Sequence, residues 1–158
     1  MNQTKIVFIA KSLDGYISDR NGSLDWLNLI PNPGNDDMGY SGFIENVDAI
    51  IMGRITFETV CNFDIAWPYK KPVFVLSRTL KTIREEYKDK VEVIINSLEI
   101  ILKELNQKGY HRLYIDGGKT IQSFLSEDLI DELIITTIPV LLGGGSRLFS
   151  ELPEELKF

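Results

Sequence analysis

Asp48-Ala49-Ile50-Ile51-Met52-Gly53-Arg54-Ile55-Thr56-Phe57-Glu58 decides how this chain folds. Ala49 to Met52 is apolar without alternation and of strand length, so both of its faces are expected to be buried, as inside a parallel sheet. Gly53-Arg54-Ile55-Thr56 then turns the chain into a helix expected over roughly residues 57–61. Upstream, Ile6-Val7-Phe8-Ile9-Ala10 is a second buried strand, and the spacing of Tyr40, Phe43, Ile44 and Val47 predicts a short amphipathic helix. Residues 28–42, rich in Pro, Gly, Asn and Asp, read as a long loop. Downstream, apolar strands are expected at residues 73–76, 91–95, 113–115 and 133–138. Ser97 is placed to cap a helix with Leu98, Ile101, Leu102 and Leu105 inward and Gly109 at its close, and a further short helix buries Ile121, Phe124 and Leu125. Strands alternating with helices imply one α/β domain over residues 1–158, a three-layer α/β/α arrangement around a mostly parallel mixed sheet.

Bulk properties narrow the function classes. The net charge of −6 argues against a nucleic-acid surface. Cys61 and His111 are the single cysteine and histidine, so an internal disulfide is impossible, a Ser-His-Asp or Cys-His mechanism is disfavoured, and no metal site is expected. The apolar run at residues 6–10 is too short for a secretory or membrane segment, which leads to the expectation of a cytoplasmic protein with no membrane partner.

In a parallel sheet the carboxyl ends of the strands share one edge, and ligands bind there. Three turns should therefore converge: Gly53-Arg54-Ile55-Thr56, Ser77-Arg78-Thr79 and Asp116-Gly117-Gly118-Lys119-Thr120. Together they offer Arg54, Arg78 and Lys119 as positive charge and Thr56, Ser77, Thr79 and Thr120 as hydroxyl donors. Helix starts add free N–H groups, and Gly117 and Gly118 would let a pyrophosphate approach the backbone. Each turn alone is explained as a strand-to-helix connection; the convergence of the cations is what points to a phosphorylated cofactor. Neither a G-x-G-x-x-G fingerprint nor a P-loop is present, and Gly143-Gly144-Gly145 reads as a flexible crossover.

These stretches carry a resemblance. Residues 48–58 resemble the Met-Gly-Arg-x-Thr-aromatic-Glu signature of the dihydrofolate reductase superfamily, Pro72 to Arg78 its second cofactor strand, and Ile115 to Leu125 its third. Ser12-Leu13-Asp14-Gly15-Tyr16-Ile17, with Asp131-Glu132-Leu133 and Pro139 through Gly145, are similar to the branch of the riboflavin-biosynthesis reductase, the RibD C-terminal domain. The resemblance implies NADPH as cofactor, with Arg54, Ser77 and Arg78 at the 2′-phosphate end and Gly117, Gly118, Lys119 and Thr120 around the pyrophosphate. It also implies a homodimer, to which the apolar residues 133–142 could contribute, and a final antiparallel strand pair. The sequence stops at Leu156-Lys157-Phe158, so that pair is expected to be truncated or missing.

Hydride chemistry belongs to the nicotinamide, and a carboxylate usually orients the substrate or relays a proton. Asp14 is the first candidate, after the first strand and beside a glycine; capping its own turn is the competing role. Asp37 is the second: counting back from Met52, it falls where the resemblance implies a pteridine-binding carboxylate, although its loop holds Pro31, Pro33 and Gly34 where that family has a helix. Trp26, Tyr40, Phe43 and Trp67 could line an aromatic pocket. Three functions follow: an NADPH-dependent reductase of a small heterocycle, pterin- or ribosylaminopyrimidine-like; a true dihydrofolate reductase; or a non-catalytic NADPH- or nucleotide-binding protein. The deaminase motif H-x-E with P-C-x-x-C is absent.

Overall fold

The computed structural model describes residues 2–158. The chain order is β1 (Thr4–Ser12), β2 (Tyr16–Ser18), α1 (Tyr40–Glu45), β3 (Ala49–Gly53), α2 (Arg54–Cys61), β4 (Val73–Leu76), β5 (Val91–Ile94), α3 (Leu98–Gln107), β6 (Arg112–Asp116), α4 (Gly118–Ser126), β7 (Glu132–Ile138) and β8 (Ser146–Arg147). Six strands form one sheet in the order β5-β4-β3-β6-β1-β7. Every pairing in it is parallel, with Ile51 opposite both Phe74 and Ile115, and Ile6 opposite both Tyr114 and Glu132. The antiparallel part of the expected sheet is confined to the short separate pair β2–β8, and β8 is the last strand among the described residues.

Burial explains the continuous apolar runs. Ala49, Ile50, Ile51 and Met52 are all wholly buried because β3 lies inside the sheet and both faces are covered. On one face, Ile50, Met52, Val75 and Tyr114 pack with Phe57 of α2 and with Tyr40 and Phe43 of α1. On the other, Val7, Ile51 and Ile115 pack with Ile101 and Leu105 of α3 and with Ile121 and Phe124 of α4. Burying side chains of this size stabilises by roughly 1.5–3 kcal/mol each. The Ser97 hydroxyl accepts from the Ile100 N–H, capping α3 as its spacing indicated. No helix among the described residues is long and apolar enough to cross a membrane.

Two local departures shape the site. α2 begins at Arg54, directly after the strand, rather than near Phe57, because extended Gly53 (φ −87°, ψ 173°) serves as its N-cap. β-branched Ile55 and Thr56 hid that first turn from sequence reading. The triple glycine 143–145 is a packed joint rather than a flexible crossover. Arg20 lies against Gly144 and donates to the Gly143 carbonyl at 2.7 Å, and Gly145 (φ +133°) sits on the Ser18 carbonyl, where a Cβ has no room.

Candidate active site

The two central neighbours β3 and β6 feed helices to opposite faces of the sheet: α2 joins the α1 side and α4 the α3 side. A crevice at the strand carboxyl ends follows from that divergence. The turns interlock across it. Thr56 of α2 fills the space beside Gly117, and Thr120 of α4 fills the space beside Gly53, where a Cβ would lie 2.7 Å from its hydroxyl. Ile17 does the same at Gly118. The missing side chains of Gly117 and Gly118 thus admit neighbouring side chains of this chain, and Thr56 and Thr120 brace the turns.

Neither α2 nor α4 has a side-chain cap, in contrast to α3. Their first-turn N–H groups and the positive ends of their dipoles therefore face the crevice. Arg54 is half exposed, and its Nη1 donates to both carboxylate oxygens of Glu58, at 2.9 and 3.1 Å. Ser77 organises the turn after β4, its hydroxyl accepting from the N–H groups of Thr79 (3.2 Å) and Leu80 (2.9 Å). Arg78 and Lys119 are exposed, and among the described residues neither forms an ion pair. An open groove of about 460 Å³ runs between Arg54, Glu58, Thr79, Leu80, Lys81 and Thr82. Lys81 is a cation of this groove that the strand-end turns did not include. An exposed, cation-lined groove beside the uncapped start of α2 fits the phosphates of a dinucleotide in donor chemistry and in room.

The two carboxylates singled out in the sequence are engaged elsewhere. Asp14 accepts from the Ser12 hydroxyl at 2.6 Å and from the N–H groups of Leu142 (3.1 Å) and Gly143 (2.8 Å), fastening the β1–β2 turn to the triple-glycine joint. The Ser12 bond, followed by those backbone bonds, holds its carboxyl down at about 2, so it carries no proton at neutral pH. Asp37 accepts from the N–H groups of Gly39 (3.0 Å) and Ser41 (2.8 Å) at the start of α1. Its carboxyl is also lowered, first by the Ser41 side chain.

Asp116 is the acid the sequence reading passed over. It ends β6 beside Met52 and shares a sheet face with Tyr114. Burial raises its carboxyl to about 6, against the opposing pull of the Gly117 N–H (2.9 Å) and of Tyr114. Tyr40, Tyr69 and Tyr114 surround it; their hydroxyls are raised by burial and then by the nearby Asp116 charge. Tyr114 donates to the Phe8 carbonyl at 3.3 Å. Phe8 stacks on Phe43 at 4.8 Å, and Tyr40 meets Phe8 edge-on at 5.6 Å. Trp67 packs on Phe57 and Tyr69. Trp26 is buried, with an indole N–H that finds no partner among the described residues. The available signal for Asp116 was its position: an acid on the last residue of a central parallel strand, immediately before a glycine pair.

The chain is similar over 99% of its length, at 54% identity and a TM-score of 0.95, to a candidate riboflavin biosynthesis protein from Shewanella sp. PV-4, 88% of which it covers. The fold is shared with the diaminohydroxyphosphoribosylaminopyrimidine deaminase/5-amino-6-(5-phosphoribosylamino)uracil reductase of Thermotoga maritima, at 18% identity and a TM-score of 0.73; 98% of this chain matches 50% of that one. It is shared also with the dihydrofolate reductase of Enterococcus faecalis, solved with NADP(H), at 19% identity and a TM-score of 0.64, over 95% of this chain and 79% of that one. The RibD C-terminal domain family matches residues 4–158, and with the dihydrofolate-reductase-like sheet and its strand-end crevice in place the chain belongs to that family.

Proposed function

We propose that this chain is an NADPH-dependent reductase that reduces a small heterocycle, pterin- or ribosylaminopyrimidine-like. The observation that carries the reading is a cation-lined groove at the start of α2, directly after the strand whose Met52 pairs with Asp116, a partly buried carboxyl raised to about 6. Family membership supports it, as does the fold shared with reductases of pyrimidine and folate type.

When bound, NADPH supplies the hydride. Arg78, Lys81 and Arg54 would hold its 2′-phosphate, and the starts of α2 and α4 with Lys119 its pyrophosphate. Phe8, Tyr40 and Tyr114 offer aromatic faces on the Asp116 side, where a flat ring would lie. Asp116 accepts N–H donors from that ring when ionised and holds a proton when neutral. A carboxyl at about 6 does both within the working range of a cytoplasmic enzyme. The folate-specific alternative needs a free carboxylate at Asp37, which the α1 backbone occupies.

Calorimetric titration with NADPH and NADH tests the cofactor. NADPH is expected to bind more tightly, and Arg78→Ala to narrow the preference by about tenfold, the worth of one charged hydrogen-bond pair. Equal affinities in the unmodified protein would overturn the assignment. Oxidation of NADPH with a ribosylaminopyrimidine or a dihydropterin then separates an enzyme from a binding protein.

A further inference from the structure

We propose that Tyr114 is a positioning residue of this site: its one hydroxyl proton, shared between the Phe8 carbonyl and the Asp116 carboxyl, steadies the charged form of Asp116 where β1 parts from β6. This deepens the reductase reading and rests on Asp116 as its working acid. The placement follows from the strands. Leu113 and Ile115 pack on the α3 and α4 side, so Tyr114 and Asp116 alternate onto the face of α1 and α2. The β1–β6 register sets Thr4 opposite Arg112, Lys5 opposite Leu113 and Ile6 opposite Tyr114, and there it stops; β1 stays paired with β7 as far as Ser12. A continued register would set Phe8 opposite Asp116, so the two strands separate at the level of these residues. The Tyr114 hydroxyl lies at that separation, 3.3 Å from the Phe8 carbonyl and hydrogen-bonded also to the Asp116 carboxyl.

One proton cannot serve two acceptors at full strength. An ionised carboxylate is a stronger acceptor than a neutral carbonyl. The hydroxyl therefore turns to Asp116 when that group is charged and to Phe8 when it is protonated. Tyr114 is buried, and burial holds its hydroxyl well above the ordinary 10, so it remains a donor at every working pH. Among the described residues, only the Gly117 N–H and the Tyr114 hydroxyl bond to Asp116, and no lysine or arginine shifts it. Tyr40 of α1 and Tyr69, in the segment after α2, feel its charge without bonding to it. Tyr114 is thus the one side chain that bonds to this carboxyl. Its ring is held independently of the hydroxyl, edge-on to Phe43 at 5.0 Å and to Tyr40 at 6.4 Å. Removing the oxygen alone leaves that packing in place.

Infrared difference spectroscopy of the full chain reads the titration of Asp116 directly, its protonated-carboxyl band being identified by its loss in Asp116→Asn. Tyr114→Phe is expected to move the midpoint upward from about 6 by about one pH unit, because a donor to the charged form is gone. A fluorinated tyrosine installed in place of Tyr114 donates more strongly and is expected to move the midpoint down. A purely structural role would not produce these opposite signs. A midpoint that Tyr114→Phe fails to raise, or that the fluorinated tyrosine fails to lower, overturns the inference. So does a band that does not titrate between about pH 4 and about pH 8 in the unmodified protein. The pH dependence of kcat/KM for NADPH oxidation with a ribosylaminopyrimidine should move in step with the infrared midpoint. Turnover whose profile stays put while that midpoint moves overturns the inference too, since Asp116 would not then be the working acid. The infrared shifts without any turnover would uphold the role of Tyr114 toward Asp116 and sink the reductase reading alone.

Discussion

Asp14, Asp37 and Asp116 receive opposite treatment from their surroundings. Asp14 and Asp37 are supplied with N–H and O–H donors and are held ionised; Asp116 is partly buried next to Tyr114 and raised to about 6. Sequence position sets Asp116 apart as the last residue of a central parallel strand, but does not tell which of the three carboxyls is supplied with donors. What separates them is the direction of a few backbone N–H groups, which depends on how residues 139–143 and 39–41 come back over the side chains. The linkage of Asp116 has a definite sign. Its folded value lies above the ordinary 3.8, so the folded state is disfavoured where the carboxyl must ionise and is relieved as pH falls through about 6 toward 4. Asp116→Asn is expected to raise the melting temperature at pH 7.5 and to lose that advantage near pH 4. It is also expected to lower turnover by on the order of a hundredfold and to remove a pH dependence centred near 6. Unchanged kcat/KM across pH 5–8 would show that the carboxyl only packs.

At the scale of elements, the strands were readable because apolar runs of four to five residues in a doubly covered parallel sheet admit few other interpretations. The turns were readable as a convergence but not in their internal fit. That Thr56 fills the space at Gly117 and Ile17 the space at Gly118 depends on contacts between residues far apart in sequence. A consequence is that Gly117 reports on the scaffold. Gly117→Ala adds a Cβ against Thr56 at φ +96°, and is expected to destabilise the cofactor-free protein by roughly 1–3 kcal/mol in urea unfolding. An unaltered midpoint would mean that Thr56 moves aside freely. The joint fastened by Asp14 has the opposite pH signature from Asp116. A carboxyl lowered to about 2 contributes stability above its ordinary 3.8, and this is lost as pH falls through about 2. Asp14→Asn removes part of the anchor for Leu142 and Gly143. Its melting temperature should lie below that of the unmodified protein at pH 7, with the difference closing below pH 4. A gap that persists at pH 2 would assign the loss to packing rather than to the charge.

The whole molecule presents a parallel sheet whose last strand, β7, pairs with β1 along one edge only. The unpaired groups on the other edge are a template for association unless something covers them. Ile134 on β7 is 39% exposed, and Leu141 and Phe149 beyond it are 69% and 40% exposed. Apolar side chains beside an open strand edge motivate the homodimer expected of residues 133–142. We propose that two copies meet there about a two-fold axis, because a closed isologous contact hides both edges at once whereas a head-to-tail contact would propagate. Light scattering at micromolar concentration should give twice the chain mass of 18.0 kDa. Ile134→Lys should return the monomer with its circular dichroism spectrum intact, since Ile134 is not part of either buried cluster. A monomer in the unmodified protein would overturn the dimer. A dimer that survives both Ile134→Lys and Leu141→Asp would move the contact away from this edge.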